Sequence, residues 1–139
     1  MQNFITRSEM ETVKYCSSIV KLISLPSIIN IKGDLGTGKT FISKNIARQF
    51  DHPNITSSSF QKISYYHGKV RLIHCDFYKN EMTNSFFYSE IEPLLVGKWL
   101  LLLEWCSYFP FELNAQKINI NINHIYTEQS RQISTTIEN

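Results

Sequence analysis

The stretch IINIKGDLGTGKTFI (residues 28–42) decides how the rest of the chain is read. Three of the chain's five glycines, Gly33, Gly36 and Gly38, fall within six of its residues, between a run of isoleucines and a Lys-Thr pair. The β-branched run SIINIK (27–32) predicts a short buried strand. KTFISKNIARQF (39–50) sets Ile42, Ile46 and Phe50 on one face of a predicted helix. Between them, Gly33-Asp34-Leu35-Gly36-Thr37-Gly38-Lys39-Thr40 matches G-x-x-x-x-G-K-[ST] in the strand–loop–helix setting that gives the pattern its meaning. Glycines here permit positive φ and remove side chains, so successive backbone N–H groups can converge on one anion. The helix beyond adds unpaired donors and the positive end of its dipole. Lys39, expected to stand exposed at the helix start, brings a point charge to the β- and γ-phosphates, and the Thr40 hydroxyl is a ligand for Mg²⁺. With the backbone amide of Phe41, the expected nucleotide site runs from Gly33 to Phe41, and the expected cofactors are ATP and Mg²⁺.

Such a loop needs an acid to hold the metal and its water. WLLLLE ends in Glu104 and VRLIHCD ends in Asp76, each at the carboxyl end of an apolar run, where ligands sit in open α/β sheets. A carboxylate there is costly to desolvate unless it is paired or faces a metal. Glu104 and Asp76 are therefore the expected catalytic acids and, with Thr40, the expected metal ligands. His74 shares a predicted strand face with Asp76 and could orient it, although an ordinary hydrogen-bonded histidine is the favoured reading. A zinc site at His74-Cys75 is disfavoured, because adjacent strand residues face opposite ways.

The remaining chain completes a mixed pattern. SEMETVKYCSSIVKLI (8–23) predicts a helix with Met10, Val13, Cys16, Val20 and Ile23 as its apolar stripe, opened by a Ser8–Glu11 capping box. Residues 61–78 read as two strands joined by a two-residue turn at His67-Gly68. SFFYSEIEPLL (85–95) predicts a short helix ending near Pro93, and KWLLLLEW (98–105) a buried strand. KINININHIY (117–126) alternates, with Ile118, Ile120 and Ile122 on one face, and RQISTTI (131–137) is its expected partner. The expected fold is α/β: one phosphate-loop NTPase domain over residues 1–139, with a mixed parallel and antiparallel sheet flanked by helices.

Bulk properties exclude several classes. At 42% apolar and 19% charged residues the chain is globular, and a net charge of +2 argues for neither nucleic acid nor an anionic membrane as a partner. Cys16, Cys75 and Cys106 form no C-x-x-C pair and no even framework, which suits reduced thiols and a cytoplasmic location. No secretory pattern opens the chain, and its longest apolar run, WLLLL, is far too short to span a bilayer.

Four motifs in order resemble the TsaE (YjeE-type) family, small bacterial ATPases of tRNA threonylcarbamoyladenosine modification. GDLGTGKT (33–40) resembles the family's G-D-L-G-A-G-K-T, and SSSF (57–60) stands where the family has S-P-T-F/Y, a switch-like loop near the γ-phosphate. HCDFYK (74–79) resembles H-x-D-L-Y-R, and LEWC (103–106) resembles the family's E-W-P, whose Glu is the metal-side acid. The resemblance implies ATP hydrolysis, a γ-phosphate-sensing role for Ser59, and work with the TsaB–TsaD pair to reset the tRNA-modifying complex. Departures bear on hydrolysis more than binding: Ser58 replaces the family Pro, Phe41 a second Thr, Lys79 an Arg and Cys106 a Pro. Trp105 is expected either to stack at the nucleotide or a partner, or to be a partly buried structural aromatic. None of the four arginines, Arg7, Arg48, Arg71 and Arg131, is expected to be a finger in cis. A small-molecule or nucleotide kinase and a hydrolysis-deficient nucleotide-binding adaptor remain alternatives on these residues.

Overall fold

The computed structural model describes residues 2–55 and 63–139. Its strands are β1 (Gln2–Thr6), β2 (Ser27–Gly33), β3 (Ile63–Tyr66), β4 (Arg71–Asp76), β5 (Trp99–Glu104), β6 (Gln116–Ile125) and β7 (Thr127–Glu138). Its helices are α1 (Glu9–Val20), α2 (Lys39–Gln49) and the short α3 (Asn84–Phe86).

Every side chain of Trp99-Leu100-Leu101-Leu102-Leu103-Glu104 is buried. Such a run belongs between two covered faces, and β5 lies between β2 and β4, parallel to both. The sheet order is β1-β7-β6-β2-β5-β4-β3, with β2 and β6 also parallel and with antiparallel pairs at both edges. The fold is therefore the expected mixed α/β sheet. Alternation along the strands divides the core. Ile29, Ile31, Leu100, Leu102 and Ile118, Ile120 and Ile122 of β6 pack with Cys16 and Ile19 of α1 and Ile42 and Ile46 of α2. Ile28, Ile73, Leu101 and Leu103 face the other way, onto Phe87, Ile91 and Phe111. The Asn face of β6 is half-exposed at Asn119 and exposed at Asn121 and Asn123, as its period of two requires.

Four local expectations are corrected. Strand β1 was not foreseen, because its first four residues are exposed and only pairing with β7 makes it a strand. Helix α1 buries Thr12, Tyr15, Cys16 and Ile19, while Met10 and Val13 are exposed. Polar atoms on that face find partners, which permits the rotation: Tyr15 bonds Thr135 Oγ1 at 2.5 Å and Thr12 Oγ1 donates to Thr6 Oγ1 at 3.0 Å. The Ser8 cap stands, accepting from the Glu11 N–H at 3.2 Å, but the Glu11 carboxylate reaches back to the amide of Arg7. The β3–β4 connection is the four residues 67–70 in place of a two-residue turn. Residues 84–94 form α3, a π-turn and a 3₁₀-turn instead of one helix. That path stacks Phe87 on Phe111, with ring centroids 3.8 Å apart.

Candidate functional site

The parallel strands β4, β2, β5 and β6 run their carboxyl ends to one edge, and the glycine loop leaves β2 there. Each clustered glycine meets a steric demand. Gly36 and Gly38 adopt φ of 78° and 105°, costly for other residues. A Cβ on Gly33 would stand 2.7 Å from both the Ile122 carbonyl oxygen and Thr37 Oγ1, so the loop crosses β6 too closely for a side chain. The turn closes on itself: the Thr37 N–H and hydroxyl both donate to the Asp34 carbonyl, at 3.2 and 2.8 Å.

Lys39 is buried, at 5% exposure, against the expectation of an exposed side chain. Its Nζ donates to the carbonyls of Gly33 and Asp34, both at 2.8 Å, and lies 3.8 Å from the centroid of the Trp105 ring. Carbonyl dipoles and the π face draw the ammonium inward. Burial lowers its pKa, opposed by the charges of Glu104, Asp76 and Asp34. Trp105 holds this position at φ 62°, an outlier for a bulky residue, and packs on Tyr78 with centroids 4.8 Å apart. Asp34 and Leu35 form the exposed loop tip.

Thr40 and Glu104 meet, with Thr40 Oγ1 donating to Glu104 Oε1 at 2.8 Å. The other carboxylate oxygen accepts from Ser43 Oγ at 3.0 Å and from His74 Nε2 at 2.5 Å. A buried carboxylate with three donors is satisfied. Burial pushes the Glu104 pKa up, but the His74 hydrogen bond and charge and the two hydroxyls outweigh it, leaving the carboxyl below its ordinary range. His74 thus orients Glu104 and not Asp76. The reason is register: Asp76 pairs with Glu104 across β4 and β5, so His74, two residues earlier on the same face, reaches the glutamate diagonally. Asp76 instead accepts from the Tyr78 amide at 2.9 Å. Its pKa is raised, first by burial and then by the Glu104 charge, against the pull of that amide, His74 and Lys39. Cys75 faces the opposite core.

Ser43 escaped sequence reading; its only signal is a position one helical turn beyond Thr40. Arg131 escaped as well, and its guanidinium reaches the loop, donating to the Thr37 carbonyl at 2.8 Å. Ser59 and the SSSF segment lie outside the described residues. Thr40, Glu104 and Asp76 offer only oxygen donors, the chemistry a hard cation takes, so this set would suit Mg²⁺. Beside the loop, a cavity of about 590 Å³ is lined by Gly36, Thr37, Phe41, Met10, Thr12 and Arg131 among others. Among the described residues, no helix is long and apolar enough to cross a membrane.

A glycine loop between a central parallel strand and a helix, facing acids on two neighbouring strands, defines a phosphate-loop α/β protein. Residues 6–133 match the family model described as threonylcarbamoyl adenosine biosynthesis protein TsaE, and the chain belongs to that family, which acts in tRNA threonylcarbamoyladenosine biosynthesis. It is similar to the tRNA threonylcarbamoyladenosine biosynthesis protein TsaE of Treponema pallidum, 25% identical over 131 residues, covering 94% of this chain and 96% of that one. The protein of the same description from Aquifex aeolicus is 31% identical over 109 residues, covering 76% and 77%. Among solved structures, Bacillus subtilis YdiB superposes with a TM-score of 0.69 at 25% identity, over 98% of this chain and 84% of that one.

Proposed function

We propose that the chain is the ATP-binding and ATP-hydrolysing component of tRNA N6-threonylcarbamoyladenosine formation, working with TsaB and TsaD and resetting their complex through its turnover. The observation that carries this reading is the 2.8 Å bond between Thr40 and Glu104. It joins the hydroxyl that follows the loop lysine to the acid at the end of a buried strand, beside the cradle where a triphosphate would lie. The loop amides and the start of α2 hold the phosphates. Lys39 exchanges the carbonyls of Gly33 and Asp34 for phosphate oxygens. Thr40, Glu104 and Asp76 hold magnesium and position water, and Ser59 senses the γ-phosphate. Bound Mg²⁺ neutralises charge developing on the phosphates. His74 and Ser43 fix the Glu104 carboxylate and keep it ionised. The neighbouring cavity has room for a nucleoside.

Arg131 spends its donors on backbone carbonyls, so it supports no finger over the γ-phosphate in cis. Turnover by the chain alone is therefore expected well below the roughly 1–100 s⁻¹ of kinases. An ATPase assay with and without the TsaB–TsaD pair tests this, with slow hydrolysis alone and a rise on adding the pair as the expected result. Fast hydrolysis unaffected by the pair would overturn the partnership, and no nucleotide binding in the presence of Mg²⁺ would overturn the whole reading.

A further inference from the structure

Arg131 stands on β7, paired with Thr6 of β1 and His124 of β6, yet its side chain serves a loop 94 residues earlier. Nε–H donates to the Thr37 carbonyl at 2.8 Å, and Nη2 lies 3.5 Å from the Gly36 carbonyl. Nη1 donates to the carbonyl of Ser130 at 2.9 Å and to that of Glu128. Every one of these acceptors is a backbone carbonyl, so a permanent positive charge rests against the loop from the side of β7.

A trans peptide sends its C=O and N–H in opposite directions. With the Thr37 carbonyl held on Arg131, the N–H of Gly38 is turned to the other side of the loop. Gly38, at positive φ, belongs to this peptide and Gly36, also at positive φ, opens the one before it, so both peptides have rotational freedom that other residues would lack. That freedom must be lost when amides order around an anion, and the loss weakens binding unless it has been removed beforehand. A planar guanidinium bridging two successive carbonyls removes it in the free protein.

We infer that Arg131 is a positioning residue of the phosphate site, holding the Gly36 and Thr37 carbonyls from β7 so that the loop amides stand ready for phosphate oxygens. This inference rests on the nucleotide-binding reading and deepens it. It assigns Arg131 to binding, the reverse of an arginine finger, whose loss is felt in the chemical step.

The test uses the full chain with Arg131→Gln and Arg131→Lys. ATP and ADP affinities are measured by calorimetry with Mg²⁺, kcat and KM by phosphate release, and unfolding by thermal scan. Arg131→Gln should weaken ATP and ADP alike, by about 10- to 100-fold, the range spanned by a lost charge-assisted hydrogen bond. KM should rise with affinity loss while kcat at saturation stays within about twofold, a split that a merely structural role would not produce. Arg131→Lys keeps the charge but not the fork, so it should recover part of the affinity and remain several-fold weaker than wild type, about 3-fold or more. Wild-type affinity in folded Arg131→Gln, or a loss confined to kcat, overturns the inference. Should the Gln variant fail to fold, wild-type affinity in Arg131→Lys overturns it equally. A wild-type chain that binds neither nucleotide is a different result, and overturns the underlying nucleotide reading.

Discussion

The His74–Glu104 pair offers a quantitative test, because both side chains are 1% exposed and the bond between them is 2.5 Å long. Two magnitudes compete for the substitution His74→Leu. Stripping one partner from a buried ion pair costs about 3–5 kcal/mol. Losing one hydrogen bond to a charged group costs about 1.5–3 kcal/mol. The smaller range applies, since Glu104 retains the hydroxyl donors of Thr40 and Ser43. His74→Leu should therefore lower stability by about 2 kcal/mol. Glu104→Gln should cost a similar amount, about 1–3 kcal/mol, because its amide group must face one of the donors already pointing at it. In the double variant the lost bond is counted once, so the two single losses should exceed the double loss by about 2 kcal/mol. Urea unfolding followed by circular dichroism, at neutral pH without nucleotide or Mg²⁺, measures all four corners of the cycle. The sign with pH follows from the depressed Glu104 pKa. The stabilisation is present above the ordinary value of 4.5 and is lost as the pH falls through the lower folded value. The Glu104→Gln penalty should thus hold from neutral pH to 4.5 and shrink below it. Single losses that add to within about 0.5 kcal/mol would refute the coupling and leave His74 as a core residue only.

Lys39→Ala should remove most ATP affinity in calorimetry while the chain still folds, because the Gly33 and Asp34 carbonyls it releases can turn to water; unchanged affinity in a folded variant would remove Lys39 from the site. Glu104→Ala and Asp76→Asn should each impair Mg²⁺-dependent hydrolysis far more than Mg²⁺-free nucleotide binding, and a variant hydrolysing at the wild-type rate would show that its residue has another role. The thiols of Cys16, Cys75 and Cys106 are at most 2% exposed, and burial pushes Cys16 up to about 12, so a disulfide reagent at neutral pH should label the native chain negligibly and all three thiols in denaturant. Stoichiometric labelling of the native chain would contradict that burial.

What the sequence made legible, and what it hid, divides along a physical line. The glycine loop could be read because its demands are local: positive φ at Gly36 and Gly38 and a missing Cβ at Gly33 restrict residue choice directly. Strand β5 could be read because burial on both faces removes every polar residue but the last. Strand β1 could not, since its exposed residues carry no period and only β7 gives it hydrogen-bond partners. The buried face of α1 was misread because Thr12 and Tyr15 are buried through partners on distant strands, which apolar counting cannot see. The site shows the same division at higher stakes. Glu104 and Asp76 were legible as strand-end acids, but which of them His74 holds depends on the β4–β5 register, a property of two segments together. Arg131 is the extreme case, because the β6–β7 hairpin must return the chain to β1 and cross the glycine loop before the residue has any role there. The glycine loop is therefore written locally, whereas the groups that bond its carbonyls and the Glu104 carboxylate are supplied by tertiary pairing. Substitutions at His74, Ser43 and Arg131 should for that reason alter affinity or turnover while leaving the phosphate-loop motif intact.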